Sequence, residues 1–293
     1  ALAEQIKQSK VIDELRIESN GNSTCGPIGK SAIASALALN KSIKSLELYG
    51  DVLLSQHIAV IATSLLQNPS LKSLIIFSAG IDVLDAEVIA EKLSKNGVLR
   101  ELHINCNIIS DEAAKALADG LKTNTSLKVL NLWSNEIGDK GASAFADMLS
   151  YNSVIEVLDL SNGNSTCGPI GKSAIASALA LNKSIKSLEL YGDVLLSRVA
   201  DRLSQNTVIE RLKILTQEHI AVIATSLLQN PSLKSLIIFS AGIDDPDAVV
   251  IAEILSKNGV LRELVVPCKE IGDKGASAFA DMLSYNSGIE VLD

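Results

Sequence analysis

The chain has 293 residues and a formal net charge of −8, with 47 % apolar residues but only 3 % aromatic. That apolar content excludes a disordered chain, and the acidic balance argues against a nucleic-acid binder, which needs a basic footprint. No apolar run is long enough to span a membrane, none of the four cysteines forms a CxxC pair, and no leader-like segment opens the chain, so a reduced, cytoplasmic protein is expected.

In chain order, Leu2-Ala3 and Ile6 read as the back half of a helix. Ile12, Leu15 and Ile17 then follow an LxxLxL spacing whose last two members alternate with polar residues, as in a half-buried strand. The loop NGNSTCGPIGKS leads into a second helix carrying Ile33, Ala34 and Leu37, and the pair is closed by Asn40. The strand pattern returns at Ile43-Leu46-Leu48, Leu71-Leu74-Ile76, Leu99-Leu102-Ile104, Leu127-Leu130-Leu132 and Ile155-Leu158-Leu160.

The helical half repeats as strictly. Asparagine stands at 40, 68, 96, 124, 152, 182, 206, 230, 258 and 286, always with leucine three residues earlier and alanine six earlier. Apolar residues at i, i+1 and i+4 share a helix face, alanine lets neighbouring helices approach, and asparagine suits a left-handed cap. Units start at 12, 43, 71, 99, 127, 155, 185, 209, 233, 261 and 289. Most are 28 residues long. Those at 185 and 209 have only 24, which should trim the stretch between strand and helix and alter curvature locally. One strand and one helix cannot bury their apolar faces alone, so stacking is required.

LxxLxLxxN followed by a helical half, as in Leu127–Asn152, resembles the long leucine-rich repeat of the ribonuclease-inhibitor type. The resemblance covers the whole chain. It implies an α/β horseshoe over residues 1–293, about ten strand–helix repeats, with parallel strands on the concave face and helices on the convex face. The asparagine that closes LxxLxLxxN is present at Asn20, Asn107 and Asn135 but replaced by Asp51, Ala79, Gly163, Asp193, Gln217, Ala241 and Lys269, so other groups must serve those turns. Neither end has a polar cap, which predicts a fragment or ends that pack on flanking repeats or a partner.

Longer copies overlie the period. Ser19–Ser55 equals Ser161–Ser197, His57–Asp82 equals His219–Asp244, and Glu136–Ser153 equals Glu270–Ser287. Recent duplication or artificial assembly would each produce them.

Chemistry-bearing motifs are few. GPIGKS at Gly26–Ser31 and Gly168–Ser173 shares a Gly-Lys-Ser with phosphate-binding loops, but Thr24 and Thr166 stand where the first glycine is needed, so it reads as a surface loop leading into a helix. Cys25, Cys106, Cys167 and Cys268 have no zinc spacing with His57, His103 or His219, and no nucleophile–base arrangement can be assembled. No cofactor and no metal are expected. Asn22, Asn40, Asn124, Asn164 and Asn182 begin glycosylation sequons, which read as accidental because Asn40, Asn124 and Asn182 fall on the asparagine ladder.

The residue after each strand's last apolar member should face into the horseshoe. These are Glu18, Tyr49, Phe77, Asn105, Trp133, Ser161, Tyr191, Leu215, Phe239 and Pro267, which include five of the chain's nine aromatics. The neighbouring column contains His103, Asp159 and Lys213. A binding platform of Tyr49, Phe77, His103, Asn105, Trp133, Asp159, Tyr191, Lys213 and Phe239 is expected on the concave face. The function expected is a non-catalytic scaffold binding a protein ligand, with no nucleic acid or membrane partner. The resemblance points to cytosolic receptors such as the repeat domains of NOD-like receptors. Two alternatives stand beside it: a GTPase-activating accessory resembling the Ran GTPase-activating protein, and a recombined array without a native ligand.

Overall fold

The computed structural model describes residues 2–18, 27–50, 65–161, 167–191, 196–215, 225–239, 243–266 and 271–293. Among them the elements run α1 (Leu2–Gln8), β1 (Glu14–Glu18), α2 (Pro27–Leu39), β2 (Ser45–Tyr49), β3 (Ser73–Phe77), α3 (Val83–Leu93), β4 (Glu101–His103), α4 (Asp111–Leu121), β5 (Val129–Asn131) and α5 (Asp139–Tyr151). There follow β6 (Val157–Asp159), α6 (Pro169–Leu181), β7 (Ser187–Tyr191), α7 (Leu196–Leu203), β8 (Arg211–Leu215), β9 (Ser235–Phe239), α8 (Asp245–Leu255), β10 (Glu263–Val265), α9 (Asp273–Tyr285) and β11 (Val291–Leu292). The strands form one open parallel sheet in sequence order. Residues one period apart pair directly, for example Leu46 with Leu74 and Leu102 with Leu130.

Both periodicities are legible in the burial. In β2 and β3 every second residue is buried, and Leu46, Leu48, Leu74 and Ile76 are at most 2 % exposed. In α4 the buried set is Ala113, Ala114, Leu117, Ala118 and Leu121, one stripe of a helix laid against the sheet. At about 1.5–3 kcal/mol for each fully buried large apolar side chain, this layer between sheet and helices is the main source of stability.

The asparagine ladder does more than end helices. Asn152, Asn182 and Asn286 have φ of −81°, −67° and −83°, in extended backbone, so they are not the left-handed caps the sequence suggests. Each instead forms a short side-chain turn. The Oδ1 of Asn124 accepts from the backbone N–H of Ser126 (2.9 Å) and Leu127 (2.7 Å). Its Nδ2 donates to the carbonyls of Leu93 (2.6 Å) and Asn96 (3.1 Å) in the preceding repeat. The same arrangement recurs at Asn68, Asn152, Asn182, Asn206 and Asn230. Asparagine satisfies helix-end carbonyls that a parallel stack would otherwise bury unpaired.

A second set of rungs crosses at the other end of the helices. Asp111, the first residue of α4, accepts from the N–H groups of Gly138 (2.8 Å) and Gly141 (2.7 Å) at the start of α5. Asp139 does the same for Gly171 of α6, and Asp245 for Gly272 and Gly275 at α9. An acid at the start of one helix thus caps the next.

α7 has eight residues against eleven in α4, and begins 11 residues after the unit start at Ile185, against 12 after Leu99 in the α4 unit. The stretch between β7 and α7, where the trimming is expected, lies outside the described residues.

Candidate concave binding face

The exposed positions of the strands line up across the sheet. Glu18, Tyr49 and Phe77 are paired in register, and so are Tyr191, Leu215 and Phe239. Backbone bonds from Ser78 to Asn105, Cys106 to Trp133 and Ser134 to Ser161 carry the same column through the middle of the array. Immediately after it, Gly50, Ser78, Cys106 and Ser134 adopt φ between 53° and 71°. This left-handed step, costly for residues with a Cβ, swings the chain off the sheet at one place in successive repeats.

Asparagines of the following repeat hold that turn. Asn107 accepts from the N–H groups of Ala79 (2.9 Å) and Ile81 (3.1 Å) and donates to the carbonyl of Ile76 (3.2 Å). The turn at Ala79, which lacks its own asparagine, is thus served by Asn107. Asn135 likewise donates to Ile104 and accepts from Ile109.

The column is not a uniform platform. At its N-terminal end Arg16, Tyr49 and Phe77 form a stack: the guanidinium lies 4.2 Å from the Tyr49 ring centre, and the two rings are 5.5 Å apart at 36°. Burial, with Glu47 beside it, raises the Tyr49 pKa. His103 is half-buried, and desolvation holds its pKa below the ordinary histidine value, so it is neutral near pH 7. The Oδ1 of Asn105 is buried without a hydrogen-bond donor. Trp133 stands 39 % exposed, and its backbone N–H donates to the Asn131 side-chain oxygen at 2.9 Å.

Beyond Trp133 the floor sinks. Ser161 is fully buried and Asp159 only 6 % exposed; the Asp159 Oδ1 accepts from both the N–H and the hydroxyl of Ser161. Desolvation raises the Asp159 pKa in spite of those bonds. At the far end Lys213 pairs with Glu189 at 3.0 Å and lies 5.5 Å from the ring centre of Phe239, which is 36 % exposed. The Tyr191 backbone is in register, and its side chain lies outside the described residues, as do Pro267, His57, His219, Cys25 and Cys268. Of the expected residues, Tyr49 and Phe77 stack with Arg16, and Phe239 lies by Lys213, on either side of Trp133 along the sheet, whereas Asp159 is buried and His103 and Asn105 join neither group. Arg16, Asn131 and Glu189 stand in the same neighbouring column as His103, Asp159 and Lys213, and lie against or bond to Tyr49, Trp133 and Lys213 respectively.

The second GPIGKS motif serves packing. The Gly171 N–H is taken by the Asp139 carboxylate at 2.8 Å, and a Cβ at Gly171 would lie 2.7 Å from the Ala142 Cβ and 2.9 Å from the Cys167 Sγ. The Lys172 side chain is buried at 3 % exposure. An anion at this helix start would meet a carboxylate, the opposite of a phosphate cradle. In the first copy, residues 19–26 lie outside the described ones. Among the described residues no three His, Cys, Asp or Glu side chains are grouped to hold a metal, and no helix is long and apolar enough to cross a membrane.

Known proteins bear on this architecture. A family model for the TMOD/LMOD leucine-rich domain matches residues 79–191, and one for a leucine-rich repeat matches residues 229–252. The fold is a leucine-rich-repeat solenoid. A solved structure similar to it is Leiomodin-1 Actin-Binding Site 2, at 24 % identity and a TM-score of 0.45, over 51 % of this chain and 87 % of that one. No curated protein sequence matches the chain. Within the solenoid, the strand and helix halves of each repeat fix which side chains can meet a ligand.

Proposed function

We propose that this leucine-rich-repeat protein is a non-catalytic scaffold of the ribonuclease-inhibitor type, which binds a protein ligand on its concave face in the cytoplasm. The observation that carries this reading is the Trp133 side chain, which projects from the sheet between two cation–aromatic groups in one register. A ring merely covering a gap between strands would be buried like Ser161 beside it. Amphipathic rings with few rotatable bonds lose little entropy on docking and dominate interface energies. A reducing cytoplasmic setting goes with the free thiols of Cys106 and Cys167. The same reading covers residues 1–293 as one interaction solenoid comparable to the repeat domains of NOD-like receptors.

The test compares partners captured from lysate by the wild-type chain and by a Tyr49→Ala, Phe77→Ala, Trp133→Ala variant shown to be folded by circular dichroism. Specific partners lost only by the variant support the concave face. Equal recovery by both chains refutes that placement.

A further inference from the structure

A second surface lies where the chain enters each strand. The residue just before the strand forms a column of its own: Asp13, Lys44, Lys72, Arg100, Lys128, Glu156, Lys186, Glu210, Lys234, Arg262 and Glu290. Each N–H donates to the preceding member's carbonyl at 2.7–2.8 Å, so these residues sit in strict register. From Glu156 onward the column neutralises itself. Glu156 bonds Lys128 (2.7 Å) and Lys186 (2.8 Å), Glu210 bonds Lys234 (3.2 Å), and Glu290 lies 3.8 Å from Arg262.

Ahead of it, among the described residues, Lys44, Lys72 and Arg100 have no such partner, and only Lys128 at the end of the run is paired, with Glu156. Lys44, Lys72, Arg100 and Lys128 are four successive exposed cations on adjacent strands, with no acid of the column between them. Among the described residues no carboxylate forms an ion pair with Lys44, Lys72 or Arg100. Arg100 donates to the carbonyls of Gly97 and Ser126, and the acid beside it, Glu101, is engaged by the Ser73 hydroxyl at 3.1 Å. At about 4.8 Å per strand the four charges extend over roughly 14 Å.

The duplicated blocks supply an internal control. Lys44 and Lys186 occupy one identical block, and Lys72 and Lys234 another. In the second copies Glu210 stands between the two lysines; in the first copies the lysines are direct neighbours. The same side chains are therefore neutralised in one context and left as a bare ridge in the other. Like charges on adjacent strands repel each other, and a ridge of them in a chain of net charge −8 is a local inversion of the protein's field.

We infer that the Lys44–Lys72–Arg100–Lys128 ridge docks an acidic, extended polypeptide segment. Charge complementarity names the class of ligand. The net negative charge of the whole molecule disfavours nucleic acid and anionic membrane, whose large fields would act on the entire surface, whereas about five residues of extended acidic chain would match the ridge alone. This surface is separate from the concave column, and its assignment does not depend on the concave reading.

The test is fluorescence anisotropy of labelled octaglutamate, at about 50 mM salt and again near physiological ionic strength. The full chain is compared with Lys72→Glu, which restores the alternation seen in the second copy, and with Lys234→Glu as a control at the equivalent position. Binding that weakens at least about tenfold in Lys72→Glu, is retained in Lys234→Glu and falls with salt supports the ridge. Because the site is exposed, Lys72→Glu should fold and melt no lower than wild type. Absence of octaglutamate binding, or equal binding by Lys72→Glu, overturns the proposal. Anionic vesicles or duplex DNA bound as tightly as the peptide, with the same dependence on Lys72, would overturn its assignment to a polypeptide.

Discussion

At Asn124 one amide group makes four hydrogen bonds that belong to two repeats, and it is 3 % exposed while doing so. Replacing it with alanine leaves the Ser126 and Leu127 N–H groups without their acceptor where water has little access, and takes one donor from each of the Leu93 and Asn96 carbonyls, which keep the Asn96 N–H and the Ser126 hydroxyl. Asn124→Ala should therefore cost about 2–4 kcal/mol, measured as a lower urea midpoint at unchanged m-value. His103 and Asp159 carry opposite pH signatures. Burial lowers the His103 pKa, so the folded state binds fewer protons there than the unfolded one, and stability rises with pH up to the ordinary histidine value near 6.5. His103→Gln should flatten the loss of melting temperature on acidification from neutrality. The Asp159 pKa is raised, so its contribution runs the other way, falling as pH rises from the ordinary aspartate value towards the raised one. Burial pushes the Cys167 thiol up to about 11. With Cys167 as the sole cysteine, alkylation at about pH 8 should be at least a hundredfold slower in the native chain than in urea, by mass spectrometry.

At the scale of elements, α5 and α9 form a natural comparison, since both read DKGASAFADMLSY. In α5, packed on both sides, Phe145 is fully buried and Leu149 is 2 % exposed; in α9, with α8 on one side only, Phe279 is half-buried and Leu283 is 48 % exposed. Phe145→Ala should cost about 3–5 kcal/mol by denaturant titration, and Phe279→Ala no more than about half of that. Such contrasts also show how far the sequence could be read. The repeat phase, the strand faces and the packed helix stripe were all legible, because each is a local periodicity. The true role of the asparagines was not, since an Asn at a helix end suits a left-handed cap and an extended side-chain turn equally well. Only the carbonyls of the neighbouring repeat decide between them. The Asp111, Asp139 and Asp245 rungs escaped for the same reason: both partners look like ordinary residues until two repeats are stacked. The concave column was legible as a line but not in depth, so the burial of Asp159 and Ser161 came only from the structure.

Along the array each described helix and strand packs on those one repeat before or after it, and the Arg211–Glu263 ion pair reaches one strand further. Stability then adds up along one dimension, and the middle of the array gains from neighbours on both sides. Amide hydrogen exchange should be slowest across residues 99–160 and faster towards α1 and α9; uniform protection along the chain would contradict this.

The asparagine ladder also overlaps with sugar-acceptor sequences. Its rung begins Asn-Lys-Ser at 40 and 182 and Asn-Thr-Ser at 124, where the serine two residues on adds its hydroxyl as a donor to the asparagine Oδ1. Those triplets are sugar-acceptor sequences, whereas Pro69 and Pro231 spoil the otherwise equivalent triplets at Asn68 and Asn230. An enzyme reading the nascent chain would attach a glycan to the very nitrogen that must later donate into the preceding repeat. A glycan there would remove one of the two Nδ2 hydrogens, so the joints at Asn40, Asn124 and Asn182 would each lose one donated bond and have to accommodate a sugar.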